Sequence, residues 1–131
     1  MIFGADIPFP SHCGIEEAGI VDGGTRLRLR PRPFHRNNIG IAHGGVLCTL
    51  LDVAMGSTCR VRFGKPVMTL DMQVSFLSPG RGVLIAAGRI LKAGRSLIYA
   101  EATIFTEEDE TLVAKGSGIF KTVEERTAAG A

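Results

Sequence analysis

The chain has 131 residues, 45% of them hydrophobic, with 15 basic and 13 acidic side chains for a formal charge of +2. That balance excludes a mainly disordered chain and fits one domain over residues 1–131. It also lacks the positive bias of a protein that lives on nucleic-acid phosphate, and with no Trp and 6% aromatics there is no base-stacking platform, so no nucleic-acid partner is expected.

The segment Met1–Pro10 has no basic residue and no long apolar run, so it does not read as a signal peptide. His12–Val21 is a strand or short-helix candidate. Thr25–Arg30 (TRLRLR) alternates strictly, with Leu27 and Leu29 on one side and Arg26, Arg28 and Arg30 on the other, the pattern of a half-buried strand. Asn37-Asn38-Ile39-Gly40 is a turn signal.

His43–Arg60 (HGGVLCTLLDVAMGSTCR) contains no proline and is too long for a typical strand. Apolar residues surround it: Val46, Leu47, Leu50, Leu51, Val53, Ala54 and Met55. A helix apolar on all sides is a buried one, here about 27 Å long.

Val67–Leu77 (VMTLDMQVSFL) alternates again. Strict period two puts Met68, Leu70, Met72, Val74 and Phe76 on one face and Thr69, Asp71, Gln73 and Ser75 on the other, exposed face. Val83–Leu91, Ser96–Phe105 and Thr111–Lys121 follow as strands. Their short separators demand antiparallel hairpins, because a parallel crossover needs a dozen or more residues. The architecture expected is α+β, one long central helix wrapped by a curved antiparallel sheet. The polar tail 124–131 is expected to fray.

No apolar stretch reaches the roughly 20 residues that span a bilayer, so no membrane partner is expected. Cys13, Cys48 and Cys59 are odd in number and lack metal-ligand spacing, which reads as free thiols in a reducing cytoplasm, with no metal site. P-loop, G-x-G-x-x-G, H-E-x-x-H and G-x-S-x-G motifs are all missing, so the usual signatures of nucleotide, dinucleotide, zinc-protease and serine-hydrolase chemistry are absent.

Asp52 is the only charged residue between His43 and Arg60. A carboxylate in a buried helix needs a partner, a proton or a chemical role, because burying it bare costs several kcal/mol. Reaching the surface or pairing with an arginine is the ordinary solution. Gly44 and Gly45 open the same helix at about 1 kcal/mol each relative to alanine. The first amides of a helix are unsatisfied and lie at the positive end of its dipole, so a glycine there lets an incoming oxygen reach the N–H. A glycine turn serving backbone geometry alone is the plainer reading. His43, Asn37 and Thr69 each have an ordinary structural reading as well.

Taken together, Asn37-x-x-Gly40-x-x-His43-Gly44-Gly45 with Asp52, then Thr69-Leu70-Asp71-Met72-Gln73-Val74-Ser75-Phe76-Leu77-Ser78-Pro79, Gly94-Arg95-Ser96-Leu97 and Leu112-Val113-Ala114-Lys115-Gly116, resembles the PaaI-like branch of the hotdog-fold acyl-CoA thioesterases. The resemblance runs in order from about Phe34 to Lys121. It implies the hotdog fold and hydrolysis of an acyl-CoA to free acid and CoA, with no cofactor. It also implies a homodimer, with a dimer of dimers beyond it. By position, Asp52 would be the catalytic carboxylate, Gly44 would offer its N–H to the thioester oxygen, and Asn37 and His43 would orient water or substrate. Thr69 would stand beside the nucleophilic water. Gly45, Arg95 and Ser96 would bind substrate. Leu51, Met55, Val61 and Phe63 are the apolar candidates for lining an acyl pocket. A hotdog hydratase or dehydratase, or a non-catalytic acyl-CoA binder, is the competing reading.

Overall fold

A computed structural model describes residues 1–124. A short helix α1 (Pro8–His12) leads into strands β1 (Glu16–Val21) and β2 (Gly24–Leu29). The long helix α2 (Gly44–Phe63) follows, then β3 (Val67–Phe76), β4 (Leu84–Ala93), β5 (Ile98–Thr106) and β6 (Leu112–Thr122). The six strands form one antiparallel sheet in the order β1-β2-β4-β5-β6-β3, so the strand after the helix forms one edge. The expected tail lies outside the described residues, apart from Glu124. No helix among them is long and apolar enough to cross a membrane.

The segment His12–Val21 takes the strand form: β1 fills Glu16–Val21, and only His12 belongs to the end of α1. The β1–β2 turn is Asp22-Gly23, with φ of 51° and 80°. Two left-handed residues between strands suit the right-handed twist of a hairpin, and Asp-Gly is a sequence signal for it.

Helix α2 extends three residues past the expected Arg60 and stops at Gly64, which adopts a left-handed φ of 66° and returns its N–H to the Arg60 carbonyl. Leu50, Leu51, Ala54, Met55 and Cys59 are completely buried in the sheet's concave face, against Leu27, Leu84, Ile104 and Phe120. One stripe of the helix stays open. Gly45 is exposed, and Cys48, Thr49, Asp52 and Gly56 are half-buried.

A hydroxyl cluster fastens the helix to β2. Thr25 Oγ1 donates to the Ala54 carbonyl (3.0 Å) and lies 2.6 Å from Ser57 Oγ, while Thr58 Oγ1 accepts the Thr25 N–H (3.1 Å). All three hydroxyl residues are buried. The helix comes so close to β4 that a Cβ on Gly88 would lie 2.3 Å from the Ala54 carbonyl oxygen.

Strand β3 departs from strict alternation. Thr69 pairs with Phe120 and Asp71 with Ile119, so Leu70 is the extra residue of a β-bulge. The bulge shifts the phase of the strand. Thr69 turns toward α2, and Met68 and Leu70 are half exposed at the edge rather than sharing a buried face with Met72 and Val74. Thr69 is exposed as expected, but the expectation that it shares a face with Asp71 is corrected.

Candidate functional site

Asp52 sits on the open stripe of α2, only half-buried. Of its two ordinary solutions it takes the first, reaching solvent at this stripe, and no arginine pairs with it among the described residues. Its partner is Thr69, whose Oγ1 donates to Asp52 Oδ1 at 2.6 Å. Oδ2 has no hydrogen-bond partner among the described residues. The carboxylate is held at one oxygen and open at the other.

A second cluster lies at the helix N-terminus. His43 is the N-cap, and its Nδ1 accepts the Gly45 N–H at 2.8 Å. An acceptor Nδ1 leaves Nε2 to carry the proton in the neutral ring, facing outward from an exposed residue. Asn37 Oδ1 accepts the N–H groups of Ile39 (3.0 Å) and Ile41 (3.3 Å), which points its NH2 the other way. The Gly44 N–H has no partner among the described residues, as befits the first residue of a helix. Amide, carboxamide and imidazole thus all present donors, an arrangement suited to an oxygen gaining negative charge. Gly44 also has room: a Cβ there would make ordinary contact, 3.5 Å from the Phe76 ring.

The two clusters do not meet within the chain. Gly44 and Asp52 are about 12 Å apart along the helix axis at 1.5 Å per residue. Arg95 and Ser96 are exposed in the β4–β5 turn. That turn lies at the Thr69 end of the sheet, since Ile98 and Thr69 flank Phe120 in one row. Two expected pocket residues are corrected: Leu51 and Met55 are core, packed toward Gly116 and Gly118 with no exposed surface. Val61 and Phe63 are exposed near the far end of the helix. A cleft of about 350 Å³ borders the donor cluster instead, lined by Ile41, Leu47, Phe76, Leu77 and Pro79 with Asn37 and Gly44. No group of metal-ligating side chains occurs among the described residues.

One buried residue of this region escaped the sequence reading. His35 is 4% exposed and is bonded through both ring nitrogens. Nothing in Phe34-His35-Arg36 marks it, because the segment has no periodicity.

Residues 39–113 match the model of the Thioesterase superfamily. The chain is 33% identical over 99 residues to acyl-coenzyme A thioesterase 13 of Homo sapiens, covering 72% of this chain and 69% of that one. It is 29% identical over 121 residues to the medium/long-chain acyl-CoA thioesterase YigI of Escherichia coli K12, covering 78% and 77%. Among solved structures, the BH2602 protein from Bacillus halodurans with CoA superposes with a TM-score of 0.84 at 29% identity, over 94% of this chain and 83% of that one. The E. coli PaaI protein superposes at 0.82 with 20% identity, over 90% and 86%, a likeness of fold. With more than half of its length inside the family model, and a 33%-identical relative aligned over more than two thirds of it, the chain belongs to the thioesterase superfamily and has its hotdog fold.

Proposed function

We propose that this protein hydrolyses an acyl-CoA thioester to a free carboxylic acid and CoA in the cytoplasm. The observation that carries the reading is the Thr69–Asp52 hydrogen bond of 2.6 Å, which orients a carboxylate whose second oxygen has no partner among the described residues. A carboxylate so held can take a proton from water or attack the carbonyl carbon itself. The C–S bond then breaks, and the sulfur leaves as the CoA thiolate and is protonated. The donors at Gly44, Asn37 and His43 stabilise the oxyanion formed on the way. Gly45 lines the substrate site beside these donors, and Arg95 and Ser96 bind the CoA portion.

Because the clusters are about 12 Å apart in one chain, the site is composite. Asn37, His43 and Gly44 come from one protomer and Asp52 and Thr69 from a second, with the helices antiparallel about a two-fold axis. Two features support this pairing. The open stripe of α2 carries small residues, Gly45, Cys48 and Gly56, beside Asp52. Strand β3 offers an outer edge that is unpaired among the described residues and flanked by half-exposed Met68 and Leu70.

Incubation of the purified protein with a panel of acyl-CoAs and a thiol reagent tests the activity. Free CoA is the expected product. Chemical change with an intact thioester would make the protein a hydratase or dehydratase, and binding without turnover would make it a carrier.

A further inference from the structure

The geometry points to His35 as the positioning residue of the donor cluster, acting through its bond to the Cys13 carbonyl. This rests on the thioesterase reading for its kinetic consequence, although the underlying contacts can be tested without it.

Between Arg32 and His43 only two side chains are buried, His35 and Ala42. Every other residue of the segment that carries Asn37 and leads into α2 is exposed or half-buried. The segment closes on itself through the Arg36–Ala42 bridge and the Asn37 N–H to the Ile41 carbonyl (2.8 Å). What holds this loop to the body of the protein therefore sits at its base. Ala42 contributes its N–H to the Gly80 carbonyl (3.1 Å). His35 contributes four bonds, the first from its own N–H to the Arg32 carbonyl (2.9 Å).

Its ring Nδ1 lies 2.8 Å from the Arg32 backbone nitrogen, its Nε2 lies 2.6 Å from the Cys13 carbonyl oxygen, and its own carbonyl accepts the His43 N–H at 2.7 Å. A backbone N–H can only donate and a carbonyl oxygen can only accept. Nδ1 must therefore be bare and Nε2 must carry the proton, so the partners themselves dictate one neutral tautomer. The Arg32 and His43 bonds are local, within the segment. The Cys13 bond reaches a residue 22 positions away, at the C-terminal cap of α1. It links α1 through the imidazole to His43, the N-cap of the helix whose first amide faces the substrate. The adjacent Phe34 ring, 4.1 Å away between centroids, covers the imidazole.

Two substitutions separate the two ring bonds. In His35→Gln the side-chain NH2 can take the place of Nε2 and keep the Cys13 bond while losing the Arg32 one. In His35→Asn the carboxamide oxygen can take the place of Nδ1 and keep Arg32 while losing Cys13. Misplacing a catalytic group by about 1 Å can cost on the order of 10²-fold. The expected result is that His35→Asn lowers kcat by roughly that factor with little change in KM, while His35→Gln stays within about threefold of wild type. Equal kcat in the two variants, high or low, would overturn the assignment and leave the ring as packing. Amide NMR spectra give a readout independent of turnover. The Asn37, His43 and Gly44 resonances should move in His35→Asn and stay in place in His35→Gln; equal shifts in both would also overturn it. Should neither variant fold, 15N spectra of the wild-type imidazoles decide, with only three histidines to assign. His35 protonated at Nε2 alone is expected, and a protonated Nδ1 would sink the proposal. If no acyl-CoA is hydrolysed, the catalytic reading fails while the spectra still judge the contacts.

Discussion

Thr69 and Asp52, on the edge strand and on the central helix, are joined by a 2.6 Å hydrogen bond that occupies one carboxylate oxygen. Asp52→Asn keeps the shape of the side chain but can act neither as base nor as nucleophile. Thioester hydrolysis should fall by about 10²–10⁴-fold with the far-ultraviolet circular dichroism unchanged. Thr69→Ser keeps the donor and should retain most activity, whereas Thr69→Val should lose on the order of tenfold. A folded Asp52→Asn protein with near wild-type turnover would remove the carboxylate from the mechanism.

Gly44 has space for a methyl group, since the added carbon would meet only the Phe76 ring at 3.5 Å. Gly44→Ala should therefore leave the melting temperature within a few degrees while lowering kcat/KM, because the methyl crowds the approach to the helix-end amide. A loss of stability with unchanged specific activity would make the glycine a structural residue.

The composite site predicts complementation between two defective chains. Asp52→Ala and Asn37→Ala homodimers should each be nearly inactive. In the purified heterodimer one site receives both substitutions and the other neither, so about half of the wild-type activity per dimer should return. A heterodimer as inactive as its parents would place the whole site within one protomer.

Gly88 faces the Ala54 carbonyl oxygen, which an added Cβ would approach to 2.3 Å, and Thr58 Oγ1, which it would approach to 2.6 Å. Backbone cannot yield as a side-chain tip can. Gly88→Ala should destabilise the protein by about 1–3 kcal/mol, measured by urea denaturation. Thr25→Val, which strips the buried hydroxyl from Ala54, Ser57 and Thr58, should cost a similar amount.

Burial raises the Cys59 thiol from 9.0 to about 11, with a backbone hydrogen bond opposing the shift. Between those two values the folded protein keeps a proton that the unfolded chain has lost. Stability should therefore fall as pH rises from about 9 through 11, and this contribution is fully present below 9. Cys59→Ala should flatten that alkaline decline in a series of melting curves. Cys59 should also react with a disulfide reagent only after denaturation, unlike half-exposed Cys13 and Cys48.

The helix was legible because His43–Arg60 is long, free of proline and apolar around most of its surface, and the β4–β5 and β5–β6 hairpins were legible from their short polar separators. The direction in which Thr69 faces was not. Alternation along Val67–Leu77 gives no sign of the extra residue at Leu70, because a bulge is set by how the strand pairs with β6. Strict period two consequently put the hydroxyl on the wrong face. The surroundings of Asp52 misled in a related way: the residues flanking it are apolar, yet an open stripe runs down the helix, and only the packing against the sheet shows which side remains uncovered. The resemblance in sequence named Asp52 and Thr69 as separate candidates, and their hydrogen bond appears only in the structure. His35 was beyond either kind of reading, since its partners are backbone atoms, one of them in a distant segment.

The sheet order also governs when the site can form during synthesis. Among the described residues strand β3 has a single neighbour, β6, and Thr69 lies opposite Phe120 near that strand's end. Helix α2 is translated well before its hydroxyl partner has any ladder on which to rest. A nascent chain halted before residue 112 would contain both Asp52 and Thr69 in its sequence and still lack the strand that brings them together. Such long-range pairing is slow to form compared with local hairpins. The growing chain therefore joins Thr69 to Asp52 at the end of folding, after the β4–β5 hairpin has already had time to assemble.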